Sequence, residues 1–448
     1  MAKVLGTLLP FNSLRSEKYG QDLFSSAKLF IDWLGQSGQN VWQMLPVSAN
    51  TWHGREKIFL SPYYGYGIGL NPRFLPTFER EKKYPEVSRE FREANEFWLP
   101  DYGLFLALSE KFGTDCWPRW PGEWRDFEEK SVAKARKELS QRIDFHEREQ
   151  EYIYRKFVEL RSYASEKGVE IWGDVPFFLP INSPLVWRFR ECFLVSAEGA
   201  MDFVSGVPKD EYFRRQVWGH PLYRWSQGDF PEAILDVWKE RLKFVAGLFD
   251  QVRLDSVIRF YVYHKLKVAR SGGDEIGVGP GDLVFELLVR FARGLGLEVF
   301  GEDVSSFDMT KLRLTMRRLN IAGVSVFTMG LRRGERELNK KHFNLDLLKT
   351  NHVFYTSTHD VKPMVSFLED LSPEQKRVVR KSLNLNCPLE PRALAGAVRE
   401  KLRAESEYLL VPLPDWLLTR ARINVPGTSR ADNWNYVMEE PVERLTIR

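Results

Sequence analysis

The chain has 448 residues, 43% of them hydrophobic, and 65 Lys and Arg against 61 Asp and Glu leave a formal charge of +4. A chain of this size buries a large core as one big barrel or as roughly two to three smaller domains, and the near-balanced charge argues against nucleic acid as a partner. Cys116, Cys192 and Cys387 are few, odd in number and widely spaced, which points away from a disulfide framework or a zinc site and toward a reducing compartment. Met1 to Pro10 has one Lys and a short apolar stretch without a small-residue cleavage site, and no run elsewhere is long enough to span a bilayer. The expectation is a soluble, cytoplasmic protein with no membrane partner.

In chain order, Leu23, Ala27, Phe30 and Leu34 recur at helical spacing, with Gly35 where the helix is predicted to stop. Asn40-Val-Trp-Gln-Met-Leu-Pro46 is a short apolar run closed by proline and predicts a strand. An aromatic and glycine-rich loop fills Trp52 to Pro72. Its Gly65-Tyr-Gly-Ile-Gly69 is not a dinucleotide loop, because proline and tyrosines precede it in place of a strand and Asn71-Pro72 stands where a helix must begin. Residues 79–150 are rich in charge and carry Trp117, Trp120 and Trp124, and are predicted as an inserted helical subdomain. Ile153, Phe157, Leu160 and Ala164 form one helical face ended by Gly168, and the strand Val169-Glu-Ile-Trp-Gly-Asp-Val-Pro176 follows with Asp174 near its end. Residues 180–230 form a second excursion. Pro231 then opens a helix carrying Ile234, Trp238, Val245 and Phe249.

Next comes the stretch around which the chain is organised, Gln251-Val-Arg-Leu-Asp-Ser256. With a side-chain period of two, Arg253 and Asp255 share a face, and a guanidinium beside a carboxylate keeps it ionised and oriented. An ordinary strand-end ion pair is the alternative. The design recurs, however, in Leu297-Glu-Val-Phe-Gly-Glu-Asp-Val304 and in Asn351-His-Val-Phe-Tyr-Thr-Ser-Thr-His-Asp360, with helices predicted over 283–292 and 310–319 and a strand over 323–328 between them. Residues 372–410 are predicted as helical and polar, and Arg422-Ile-Asn-Val-Pro-Gly427 as the last strand with its loop. Repeated strand and helix units with acids at the strand ends predict a (β/α)8 TIM barrel spanning 1–448 as a single catalytic unit, with chemistry at that face.

Three carboxylates at three strand ends, without a His cluster or a His-Glu-x-x-His, point away from metal hydrolysis and toward glycoside chemistry. Asp255 with Arg253 suits a nucleophile. Glu302, on an otherwise apolar strand, suits an acid of raised pKa, a rim carboxylate being the alternative.

The chain is identified as a member of the 4-alpha-glucanotransferases, or amylomaltases, relatives of the alpha-amylases. The motifs are Trp42-Gln-Met-Leu-Pro46, Ser61-Pro-Tyr63, Asn71-Pro72, Gly173-Asp-Val-Pro176, Gly206-Val-Pro208, Trp218-Gly219 with Pro221 and Tyr223, Arg253-Leu-Asp255, Gly279-Pro-Gly281, Glu302-Asp303, Thr358-His-Asp360, and Asn424-Val-Pro-Gly427 with Asn433-Trp434. The resemblance implies an alpha-amylase-like barrel with inserted subdomains that disproportionates alpha-1,4-glucans, with maltodextrins as donor and acceptor and neither cofactor nor metal. It implies Asp255 as nucleophile, Glu302 as acid/base and Asp360 as the carboxylate that holds the reacting sugar. It further implies substrate contacts at Tyr63, Asp174, Arg253 and His359, and at Trp218 in a lid formed by 180–230.

The chain departs from the family pattern at Ser256, Val257 and Ile258, where the first is usually histidine. It also departs at Val361-Lys362, at His220, and in a shortened Glu211-Tyr-Phe-Arg-Arg-Gln216. Lys362, if it reaches the cleft, favours the ionised form of nearby carboxylates. These departures bear on acceptor handling and keep two alternatives open, an alpha-glucan hydrolase on the same site and a non-catalytic glucan-binding barrel.

Overall fold

The computed structural model describes residues 4–50, 61–80, 82–209, 215–225, 231–269, 272–332, 334–428, 430 and 432–446. Eight parallel strands form its centre: β1 (Val4–Leu8), β2 (Val41–Gln43), β3 (Glu170–Val175), β4 (Gln251–Leu254), β5 (Glu298–Gly301), β6 (Gly323–Val326), β7 (His352–Tyr355) and β8 (Tyr408–Pro412). Their hydrogen-bonded order is β5-β4-β3-β2-β1-β8-β7-β6. The two ends meet where the Gly301 N–H donates to the Ala322 carbonyl at 2.9 Å, so the sheet closes into a (β/α)8 barrel.

Burial on both faces explains why these strands are short apolar runs and do not alternate. Trp42 and Trp172 are at most 1% exposed, and Tyr355 inside the barrel donates its hydroxyl to Gln43 Oε1 at 2.8 Å. At Gly173 a Cβ would meet the Phe249 ring at 2.4 Å, a close approach that only glycine permits.

Helix Leu23–Gln36 runs past Gly35, because the left-handed turn that follows it comes only at Gly38, φ +70°. Between β2 and β3 lie a hairpin, Ser48–Asn50 with Gly65–Leu70, and a set of helices that ends in the long Ser140–Glu166; Ile153, Phe157, Leu160 and Ala164 all face its core side. Helices Ala233–Ala246, Asp282–Gly294 and Thr310–Arg318 precede β4, β5 and β6. Between β6 and β7 the described residues hold only short 3-10 turns.

Two expectations need correction. The last strand is Tyr408–Pro412, with β1 and β7 as its neighbours, while Arg422 to Gly427 is a loop laid over the barrel end. Tyr408-Leu-Leu-Val-Pro412 follows helix Pro391–Glu405 after only two residues, so its strand signal merges with the helical run. The amino-terminal strand β1 is likewise hidden, because the five residues Val4-Leu-Gly-Thr-Leu8 are too few to show a periodicity.

Candidate active site

The register of the barrel brings the site together. Asp174 on β3 pairs in register with Arg253 on β4, and Phe300 on β5 pairs with Arg253 from the other side. Asp255 and Glu302 are the first residues past the paired ends of β4 and β5, and the Glu302 N–H donates to the Leu254 carbonyl at 3.0 Å. Arg253 therefore stands between three carboxylates. Its Nη1 donates to Asp174 Oδ2 at 2.6 Å, and its Nη2 lies 3.0 Å from Asp255 Oδ1 and 3.7 Å from Glu302 Oε2. Both carboxylates reach the same nitrogen, which keeps their facing oxygens within about 6.7 Å of each other, close enough for a catalytic pair.

Tyr63, delivered by the turn before Gly65–Leu70, donates its hydroxyl to Asp174 Oδ2 at 2.7 Å and accepts from Arg253 Nη1 at 3.1 Å. Burial first, and then the Asp174 charge, hold its hydroxyl protonated far above the ordinary range. The His359 ring stacks on Tyr63 with centroids 5.3 Å apart, and Trp434 leans on both at 5.8 Å and 5.7 Å. After β7 the chain places His359 Nε2 3.1 Å from Asp360 Oδ2, and the Asn424 side-chain amide donates to Asp360 Oδ1 at 2.6 Å.

The carboxylates sit in different electrostatic surroundings. Burial pushes Glu302 up to about 8, with Asp255 adding to the rise and Arg253 opposing it. Asp360 is held at about 2, because His359 and Asn424 together outweigh its burial. Asp174 is pushed up to about 6 by burial, against the pull of Arg253. Groups driven apart in this way are suited to separate acid and anion roles at one pH.

Ser256 adopts the left-handed conformation, φ +50°. Its N–H donates to Glu302 Oε2 at 2.8 Å and its hydroxyl accepts from Arg259 Nε at 3.0 Å. Trp218 lies beyond this layer, half-buried, with its ring 4.5 Å from the Arg259 guanidinium and its Nε1 donating to Gln216 at 3.1 Å. His220 is buried against Tyr64, and burial drives its ring down to about 3, so it is neutral. Lys362 does not reach the carboxylates. It is exposed and pairs with Asp370, the last residue of the helix that follows, Met364–Asp370. Residues 210–214 and 226–230 of the expected lid lie outside the described residues.

The seven residues Tyr63, Asp174, Arg253, Asp255, Glu302, His359 and Asp360 thus form one connected group. Sequence reasoning gave no role to Arg259, Asn424 and Trp434. The last two stand inside quoted motifs, and only the tertiary structure shows what they touch. Among the described residues no three His, Cys, Asp or Glu side chains cluster as metal ligands, and no helix is long and apolar enough to cross a membrane.

Comparison with known proteins decides the family. The model of the 4-alpha-glucanotransferase family matches residues 9–76 and 70–442, nearly the whole chain. The chain belongs to the 4-alpha-glucanotransferase family. It is 29% identical over 492 residues to the 4-alpha-glucanotransferase of Thermus thermophilus, covering 97% of this chain and 94% of that protein. To the Aquifex aeolicus 4-alpha-glucanotransferase it is 26% identical over 486 residues, covering 98% of this chain and 96% of that one. The amylomaltase from Streptococcus agalactiae in complex with acarbose shares its fold, with TM-score 0.83 at 24% identity over 98% of this chain and 96% of that chain. The amylomaltase from Corynebacterium glutamicum does so at TM-score 0.65 and 16% identity, over 96% of this chain and 71% of that one.

Proposed function

We propose that this 4-alpha-glucanotransferase family member moves segments of alpha-1,4-glucan between maltodextrins by a retaining double displacement centred on Asp255 and Glu302. The observation that carries the reading is the single guanidinium of Arg253 in contact with both carboxylates. In the first half-reaction Asp255 Oδ attacks the anomeric carbon while the Glu302 carboxyl gives its proton to the glycosidic oxygen. A glycosyl-enzyme ester forms and the shortened glucan leaves with a free 4-hydroxyl. In the second, Glu302 as carboxylate takes the proton of an acceptor 4-hydroxyl, whose oxygen displaces Asp255 and restores both groups.

Asp360 remains ionised and faces the positive charge that develops on the sugar ring, while His359 and Asn424 keep its two oxygens in place. Tyr63 offers a flat face to the apolar side of the reacting glucose, and Asp174 fixes the Tyr63 hydroxyl and Arg253. No metal or cofactor enters this scheme.

The same proposal takes 1–448 as one catalytic barrel, with 79–150 as a helical insert and 180–230 as a lid that approaches the site through Trp218. A cytoplasmic location completes it, supported by three free cysteines. Incubation with maltotriose tests the reading: glucose plus a ladder of longer and shorter glucans means transfer, a net rise in reducing ends means hydrolysis, and binding without turnover means a non-catalytic barrel.

A further inference from the structure

Arg259 is a charged side chain for which the reaction above has no use, yet it is only 4% exposed. The 3-10 turn Val257–Phe260 folds it back on Ser256, so that Nε donates to Ser256 Oγ. The guanidinium lies 4.5 Å from the Trp218 ring centroid and 5.5 Å from that of Phe178. Among the described residues no carboxylate pairs with it at ion-pair distance, and neither Nη has a hydrogen-bond partner.

A buried cation without a counter-charge is costly, and buried polar groups are normally satisfied, so the two Nη groups, which lack a hydrogen-bond partner, call for an occupant. Asp255 and Glu302 favour its charge from a distance, against burial that lowers its pKa to about 10. It therefore keeps its five donors at neutral pH.

The space it faces is a cavity of about 60 Å³ whose lining includes Ser256, Arg259, His264, Val304 and Phe307. That volume takes a few water-sized groups, which is the edge of a sugar and not a whole glucose unit. Its wall includes the Phe307 ring, stacked on His264 with centroids 4.3 Å apart. The location matters as much as the chemistry. Tyr63, His359 and Trp434 gather at Asp174 and Asp360, whereas this cavity opens at Ser256, whose N–H holds Glu302, and at Val304, two residues past it.

We infer that Arg259 binds a hydroxyl or hydroxymethyl oxygen of the glucose unit on the Glu302 side of the reacting bond, the unit that departs in the first half-reaction and accepts in the second. This rests on the proposed transfer mechanism. Arg259 thereby sets acceptor affinity in a chain that has serine at 256. The donor geometry is specific: the planar fork of arginine engages an edge oxygen while Nε stays on Ser256, which the single ammonium of lysine cannot reproduce.

The test uses an alpha-maltosyl fluoride donor, whose leaving group occupies no sugar site, with glucose and its monodeoxy analogues as acceptors. Fluoride release by the wild-type chain followed by transfer to glucose establishes the underlying mechanism independently; their absence overturns that reading and, with it, the acceptor role given to Arg259. In the wild type, one monodeoxy glucose is expected to lose tenfold or more in acceptor kcat/KM, while the 4-deoxy sugar, lacking the nucleophile, is excluded from the comparison. Equal use of all the others overturns the inference without any variant.

In Arg259→Lys the KM for glucose is expected to rise about tenfold or more, and the penalty for that same deoxy sugar to vanish. The loss in acceptor use should exceed any loss in fluoride release by at least tenfold. Equal losses in both, or a deoxy penalty that survives the substitution, overturn the inference and leave Arg259 a support for Ser256. If Arg259→Lys fails to show the wild-type melting transition, Arg259→Gln is measured the same way, and the wild-type deoxy series decides alone if both fail.

Discussion

Raising the pH through 8 separates Glu302 from the other carboxylates of the site. Burial carries its proton from an ordinary 4.5 up to about 8. With that midpoint, roughly nine-tenths of molecules hold the proton at pH 7 and roughly one-tenth at pH 9, so kcat/KM on maltotriose should fall about tenfold per pH unit on the alkaline side. An alpha-maltosyl fluoride donor needs little protonation of its leaving group, and its rate of glycosyl-enzyme formation should lack this limb. The same shift acts on stability with a definite sign. Above 4.5 the unfolded chain releases a proton that the folded chain retains until about 8, so this group subtracts stability as pH rises across that window. The full shift corresponds to about 5 kcal/mol; with the side chain 18% exposed to the cleft, solvent screening reduces the expectation to about 2 to 3 kcal/mol. Glu302→Gln cannot ionise, so it should melt a few degrees above wild type at pH 8 and no higher at pH 4.5. The reasoning is refuted by an alkaline limb of the same midpoint on both donors, or by a Tm difference that does not grow between pH 4.5 and pH 8.

Other substitutions test the neighbours. Asp255→Asn should abolish turnover on maltotriose and leave Tm within a few degrees of wild type; retention of a tenth of the wild-type rate in a purified sample removes Asp255 from the nucleophile role. Asn424→Ala takes away the amide at 2.6 Å from Asp360 Oδ1, and should lower kcat by about 10- to 100-fold through a less well-held anion, with unchanged kcat counting against that contact. Lys362→Ala breaks only an exposed pair with Asp370 and should leave kcat/KM unaltered between pH 5 and 8; a shifted profile would mean that Lys362 reaches the cleft after all. Ser256→His should be accommodated by the left-handed backbone at that position, which histidine tolerates better than most residues, and should change the ratio of transfer to hydrolysis on maltotriose more than the rate of glycosyl-enzyme formation.

Much of the molecule was legible in the linear chain because barrel physics writes itself locally. Strands buried on both faces are short apolar runs, their carboxyl ends bear the polar residues, and a period of two is enough to put Arg253 and Asp255 on one face. What the chain alone could not express is what depends on meeting across distance. Tyr408–Pro412 was lost in a helical stretch because only its pairing with β1 and β7 makes it a strand. Lys362 stood two residues from Asp360, yet its side chain turned to Asp370. Asn424 reaches Asp360 across 64 positions, and Arg253 gathers Tyr63, Asp174 and Glu302 from three separate segments. The acids and their order belong to the sequence. Which of them is pushed up and which is held down belongs to the tertiary structure, since burial and the direction of a guanidinium or an amide exist only once the barrel has closed.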